Sequence, residues 1–190
     1  MLDEIDRKII TQLQLNGRTT FEELGKLVGY TSMGAKKRVD KLLDGGFINV
    51  SCAINTTSFK LFPALILLEM ENAEVLNQLL DRFRDCPRIV HIFTTLGGYN
   101  IIALVVAEDQ STLESIAIEK CSLRSGEGIR RSEFYPISAA HYSPFLLVRE
   151  YLTHKDTMIT PCNVDCRPCQ RYQDRKCVGC PATSYYKGPL

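Results

Sequence analysis

Between Phe62 and Ser138 the chain sets strand-like and helix-like runs in one order, and that order leaves few folds open. "FPALILLEME" (62–71) is a nearly continuous apolar run, as a buried strand requires. "NAEVLNQLLDRFRDCP" (72–87) repeats apolar residues at Val75, Leu76, Leu79, Leu80 and Phe83, a helical spacing that Pro87 ends. "RIVHIFTTL" (88–96) and "YNIIALVVAED" (99–109) are strand-like and flank Gly97-Gly98, a hairpin signal. "STLESIAIEKC" (111–121) predicts a helix opened by a capping box of Ser111 and Glu114, and "GIRRSEFYPIS" (128–138) predicts a last strand. The order β-α-β-β-α-β is that of the ferredoxin-like fold. Two helices would cover one face of its sheet. The other face calls for a partner, and a second copy of the chain is the simplest one.

The residues before this block read as helices. Leu2, Ile5, Ile9 and Leu13 form an apolar stripe that stops at Asn16-Gly17. Thr20 and Glu23 make a capping box for a short helix ended by Gly29. Thr31 or Ser32 caps a third helix, which Gly45-Gly46 closes. Two short helices joined by a tight turn outline a helix-turn-helix. On a wheel of the third helix, Ala35, Val39, Leu42 and Leu43 share one side. Met33, Lys37 and Lys41 point the opposite way, with Lys36 and Arg38 on the flanks. Such a helix suits a major groove, with Thr31, Ser32 and Met33 toward base edges and the four cations toward phosphates. "FINVSCAIN" (47–55) alternates, with Ile48, Val50, Cys52 and Ile54 on one face, and reads as the strand of a wing. The alternative is a small helical domain whose basic face is merely solvated.

Net charge is +1, so no global field draws the chain to nucleic acid or membrane, and DNA binding must rest on the local basic helix. The longest apolar run falls short of the about 20 residues that span a bilayer. Met1 is followed at once by the charged "LDEIDRK", which is not a leader, so the expected compartment is the cytoplasm.

The first fifty residues resemble the N-terminal module of the Lrp/AsnC (feast/famine) transcription regulators. The matching residues are Leu2-Asp3 with Asp6, Arg18, "ELGKLVGYT", Arg38, Leu42 and the glycine before Phe47-Ile48. The β-α-β-β-α-β stretch is similar to that family's ligand-sensing domain. The resemblance spans residues 1–140 and implies a regulator of double-stranded DNA in which Arg18 joins the DNA-facing set. It implies a homodimer paired through the sheets, or a tetramer or octamer built from dimers. It also implies a small effector near Gly97, Gly98, Tyr99 and Asn100. Asn100 stands where the family commonly has an acid, so the charge that would pair with an amino group is missing.

Near the end, "CNVDCRPCQRYQDRKCVGC" sets Cys162, Cys166, Cys169, Cys177 and Cys180 in a C-x3-C-x2-C-x7-C-x2-C array. Two C-x2-C pairs supply the four thiolates of a zinc site. Pro181 and the fifth thiol also suit a [4Fe–4S] cluster. The polar "QRYQDRK" has nothing to fill a core, so a metal is expected to order this tail and to report metal or redox state. Cys52, Cys86 and Cys121 read as isolated core or boundary residues, His91 as a strand histidine, and His141 and His154 as bystanders.

The expected architecture is therefore α+β: a winged helix-turn-helix (1–60), a ferredoxin-like sensing and oligomerisation domain (61–145), and a linker with a cysteine-rich metal-binding tail (146–190). No Ser-His-Asp set, P-loop or G-x-G-x-x-G appears, so the chain is read as a non-enzyme. Two other functions fit the same two modules. One is a siroheme decarboxylase-like enzyme, to which His91 is similar at one position while "TTLGGYN" lacks the accompanying residues. The other is an effector-binding protein that no longer binds DNA.

Overall fold

The computed structural model describes residues 2–153 and 157–190, so His154 lies outside the described residues. The chain divides into two units, one ending at Cys52 and one running from Ala53 to Leu190.

The first unit is three helices: α1 (Glu4–Leu15), α2 (Phe21–Val28) and α3 (Ser32–Asp44). Each start is chemically marked. Asp3 and Asp6 make a capping box on α1, Thr20 and Glu23 make one on α2, and Thr31 accepts from the Gly34 N–H on α3. Gly29 ends α2 at φ +73°, in the left-handed region that glycine enters without strain. Ile9, Leu24, Ala35, Val39 and Leu42 form the core, with Leu2, Ile5, Leu13 and Ile48 packed around it. Leu43, expected on the buried side, is exposed. The wing is not formed: residues 47–53 make no strand, and only β1 (Ile54–Asn55) pairs, with β6 (Phe145–Leu146) in the second unit. Alternation marked the strand, but among the described residues no neighbouring strand receives its hydrogen bonds.

The second unit holds the ferredoxin-like sheet. Its strands are β2 (Phe62–Met70), β3 (Ile89–Thr94), β4 (Ile101–Ala107) and β5 (Ile129–Pro136), in the antiparallel order β3-β4-β2-β5. Helices α4 (Ala73–Phe83) and α5 (Gln110–Ile118) pack on one face. Ala64, Ile66, Leu68, Met70, Ala103 and Val105 point into that core against Leu79, Phe83, Leu113 and Ile116. Full burial of each large side chain there contributes about 1.5–3 kcal/mol. The cap of α5 is Asp109, which accepts from the Thr112 N–H, two residues before the expected Ser111.

The described residues of the last fifty form no separate unit. They wrap the end of the sheet where β3 begins and β4 ends. Val148 and Leu190 bury Leu61, Val90 and Val106 on the sheet's second face, while Cys162 enters the core on the helical face. The only α-helix among the described residues of the tail, α6 (Gln170–Gln173), is a single turn. Side-chain contacts dock the tail on the sheet domain. Arg149 Nε donates to the Ile89 carbonyl (2.8 Å), and its Nη1 to that of Arg84 (2.6 Å). Arg171, inside "QRYQDRK", donates to Ser115 Oγ (2.6 Å) and to the Ser111 carbonyl (2.8 Å) on α5. Docking thus contributes to the order of the tail beside the metal expected there: Arg171 of the polar stretch is spent on α5, and Cys166, Cys180, Ala182 and Tyr185 pack together.

Candidate nucleic-acid interface and a thiol-lined cavity

Helix α3 is partitioned cleanly. Ala35, Val39 and Leu42 are buried, while Thr31, Ser32, Met33, Lys36, Lys37 and Lys41 are exposed, as is Arg18 in the turn before α2. Lysines on one exposed helix face, with a capped N-terminal turn, can meet phosphates and base edges together. Arg38 is different. Its Nη1 donates to Asp3 Oδ2 at 2.6 Å and to Asp6 Oδ1 at 2.9 Å, and its Nη2 reaches the Tyr30 hydroxyl at 3.4 Å. The guanidinium thus ties α3 to the cap of α1. The position of α3 also depends on Gly25. A Cβ there would stand 2.7 Å from the Tyr30 carbonyl oxygen and 3.2 Å from the Ser32 nitrogen.

At the β3–β4 hairpin, Gly97, Gly98 and Tyr99 are joined by residues that sequence reasoning missed. The Tyr99 and Tyr135 hydroxyls both donate to Glu133, and the Arg131 guanidinium lies 4.3 Å from the Tyr99 ring centroid. The tyrosine hydroxyls, Tyr135 first, and then Arg131 hold the Glu133 carboxyl below its usual range. Asn100 does not point at this cluster. Its amide accepts from the Met70 N–H (2.8 Å) and donates to the Met70 carbonyl (2.9 Å), pinning the hairpin to β2. His91 is exposed on β3, its ring beside Phe93.

The cysteines gather at the opposite end of the sheet. Cys162, Cys166, Cys177 and Cys180 line a cavity of about 40 Å³, and Cys86 and Cys121 line it with them. Those two had read as isolated residues. Cys86 follows α4 and Cys121 follows α5, so folding brings both to one place. Cys169 lies outside this lining, on an adjoining cleft that Cys121, Cys166 and Cys177 share. Among the described residues no three His, Cys, Asp or Glu side chains converge closely enough to hold a single metal ion. Burial pushes the Cys166 thiol up to about 11 and the Cys180 thiol up to about 12, and raises those of Cys86 and Cys121. Arg88 also lines the cavity. It makes a buried two-pronged pair with Glu108 (Nε–Oε2 3.0 Å, Nη2–Oε1 2.8 Å) and donates to the Gly179 carbonyl at 2.5 Å. Burial works against its charge, and Glu108, Cys177 and Cys180 more than offset that. The Tyr186 hydroxyl closes the network on Glu108 at 2.7 Å.

Comparison with known proteins covers about the first three-quarters of the chain. Residues 2–43 match the model of the AsnC-type helix-turn-helix domain, and residues 63–141 that of the Lrp/AsnC ligand binding domain. The HTH-type transcriptional regulator YezC of Bacillus subtilis, itself uncharacterized, is 36% identical over 123 residues, 60% of this chain and 81% of that protein. A transcriptional regulator of the same type from Methanocaldococcus jannaschii is 27% identical over 121 residues, 63% of this chain and 82% of that one. Among solved structures, E. coli AsnC superposes with a TM-score of 0.65 at 21% identity, covering 74% of this chain and 95% of that one. A Neisseria meningitidis transcriptional regulator in complex with L-Met superposes at 0.67, also at 21%, covering 74% and 92%. Residues 142–190 lie beyond both matched domains.

Proposed function

Since the chain belongs to the Lrp/AsnC family of helix-turn-helix transcriptional regulators, we propose that α3 reads a duplex from its N-terminal turn while Arg18, Lys36, Lys37 and Lys41 hold phosphates. The observation behind this is the partition of α3: Ala35, Val39 and Leu42 are taken by the core, and Lys36, Lys37 and Lys41 are all left exposed. The protein works in the cytoplasm as a homodimer or a tetramer or octamer of dimers. Phe93 is exposed on β3, and Leu67 and Ile102 are only partly covered on the part of the sheet's second face beyond Val148 and Leu190, which supports pairing with a second copy. A small effector acts near Gly97, Gly98 and Tyr99, where Arg131 and Glu133 offer both charges. The L-Met complex of the Neisseria regulator supports a ligand of that size. The tail thiols hold a metal, which their number and spacing support.

Titrating the chain against its own upstream DNA at several salt concentrations tests the core of this reading. Log affinity should fall with log salt by about 0.9 per phosphate held, and the Lys36→Ala/Lys37→Ala/Lys41→Ala variant should lose about three such contacts. An unchanged salt slope in that variant would remove α3 as the interface.

A further inference from the structure

The thiol-lined cavity is too roomy for one small ion. It measures about 40 Å³, and a single water needs about 10–15 Å³. Zinc draws four donors to one point at about 2.0–2.3 Å, and the described ligand-type side chains do not converge in that way. They ring a space instead, from three directions: the end of α4, the end of α5 and the tail. We propose that this cavity is the site of a [4Fe–4S] cluster held jointly by thiolates of the effector-binding domain, Cys86 and Cys121, and by thiolates of the tail. The inference rests on the reading that the tail cysteines hold metal, and it names the metal group and extends the ligand set beyond the tail.

Three further observations support it. The remaining walls are largely apolar core, including Ile66, Phe83 and Ile116, which keep water from the centre. A cluster with four thiolates carries net negative charge, and the guanidinium of Arg88, paired with Glu108, stands in the same wall as Cys177 and Cys180. Arg88 also grips the Gly179 carbonyl between those two cysteines, so the charge and the C-x2-C loop are held by one side chain. Finally, Pro181 follows Cys180, as proline follows the last cysteine of bacterial ferredoxin motifs. Ligation replaces four S–H bonds by four Fe–S bonds and releases four protons to solvent. Two of the six thiols then stay protonated, and Cys169 takes no part.

The full chain, purified without air and reconstituted with equal amounts of ferrous and ferric iron and with sulfide, provides the test. Iron, zinc and acid-labile sulfide are measured beside the visible spectrum, and X-ray absorption at the iron edge looks for iron–iron scattering. The expected protein is brown, with about four irons and four sulfides per chain. The Cys86→Ala/Cys121→Ala variant should lose at least half of both, while Cys169→Ala keeps them. If the double variant aggregates on gel filtration, Cys86→Ser and Cys121→Ser take its place with the same expected loss. Full iron and sulfide in those variants would overturn the joint ligation. A colourless protein with one zinc would overturn the cluster while leaving the tail a metal site. A chain that takes up neither metal would end both readings.

Discussion

Two neighbours on α3 have the same charge and different jobs. Lys37 is exposed, and its loss should weaken DNA binding at low salt and lower the salt slope by about 0.9, with no change in melting temperature. Arg38 bridges Asp3 and Asp6, so Arg38→Ala should lower the melting temperature of the first unit and leave the salt slope alone. The pair also sets an acid limit. The Asp6 backbone N–H, and then Arg38, hold the Asp3 carboxyl below its ordinary value of 3.8. A lowered carboxylate stabilises the fold above its unfolded-state value and ceases to do so as pH falls through its folded-state value. The first unit should therefore lose stability below pH 3.8, and Arg38→Ala should lose less of it there, as thermal melts at stepped pH would show. Asn100 makes the same point at the hairpin. An aspartate could not donate to the Met70 carbonyl and would set a charge beside it, so Asn100→Asp should cost about 1–3 kcal/mol in a denaturant melt. From the sequence alone Arg38 looked DNA-facing and Asn100 effector-facing. Their partners stand 32 or 35 positions and 30 positions away, a distance over which no periodicity speaks.

At the scale of the element, the helices and strands were legible because local chemistry and burial agreed. Thr20 with Glu23 and the apolar run of β2 each have a single reading, and both elements stand where they were expected. The failures came where an element needs a neighbour. Residues 47–53 alternate like a strand but have no strand to pair with, and Ser111 looked like a cap although Asp109 reaches the Thr112 N–H first. The turn between α2 and α3 shows how such dependence can be tested. Gly25 lets the chain pass within contact distance of Tyr30 to Ser32, where a Cβ has no room against backbone. Gly25→Ala should displace the start of α3. DNA affinity should then fall at least tenfold while circular dichroism still reports the helix content of the wild type. Equal affinity for Gly25→Ala and wild type would show that the turn tolerates the shift.

For the whole molecule, the question is what the tail does to the domain before it. Its arginines and C-x2-C pairs read as a separate polar module, since a charge in a sequence is taken to face solvent. The structure uses them as ties. Arg88 and Glu108, at the start of β3 and just after β4, are buried together, with side chains 7% and 1% exposed, and both reach tail residues: Gly179 for Arg88, Tyr186 for Glu108. Neither was legible, because a charge at a strand end looks solvated until something covers it. Nor were Cys86 and Cys121, whose meaning depends on the tail folding back more than forty residues later in the chain. Removing one partner of such a pair leaves the other buried and uncompensated, a loss of about 3–5 kcal/mol. Glu108→Gln should therefore destabilise the second unit by that order in a denaturant melt. If the tail is held through this network, limited proteolysis of the variant should cut within residues 157–190 before the sheet unfolds. The first unit shares none of these contacts and should melt unchanged. A Glu108→Gln protein whose tail resists protease as wild type does would mean that Leu190 and the Arg171 contacts suffice to dock it, and that the ion pair serves the cavity instead.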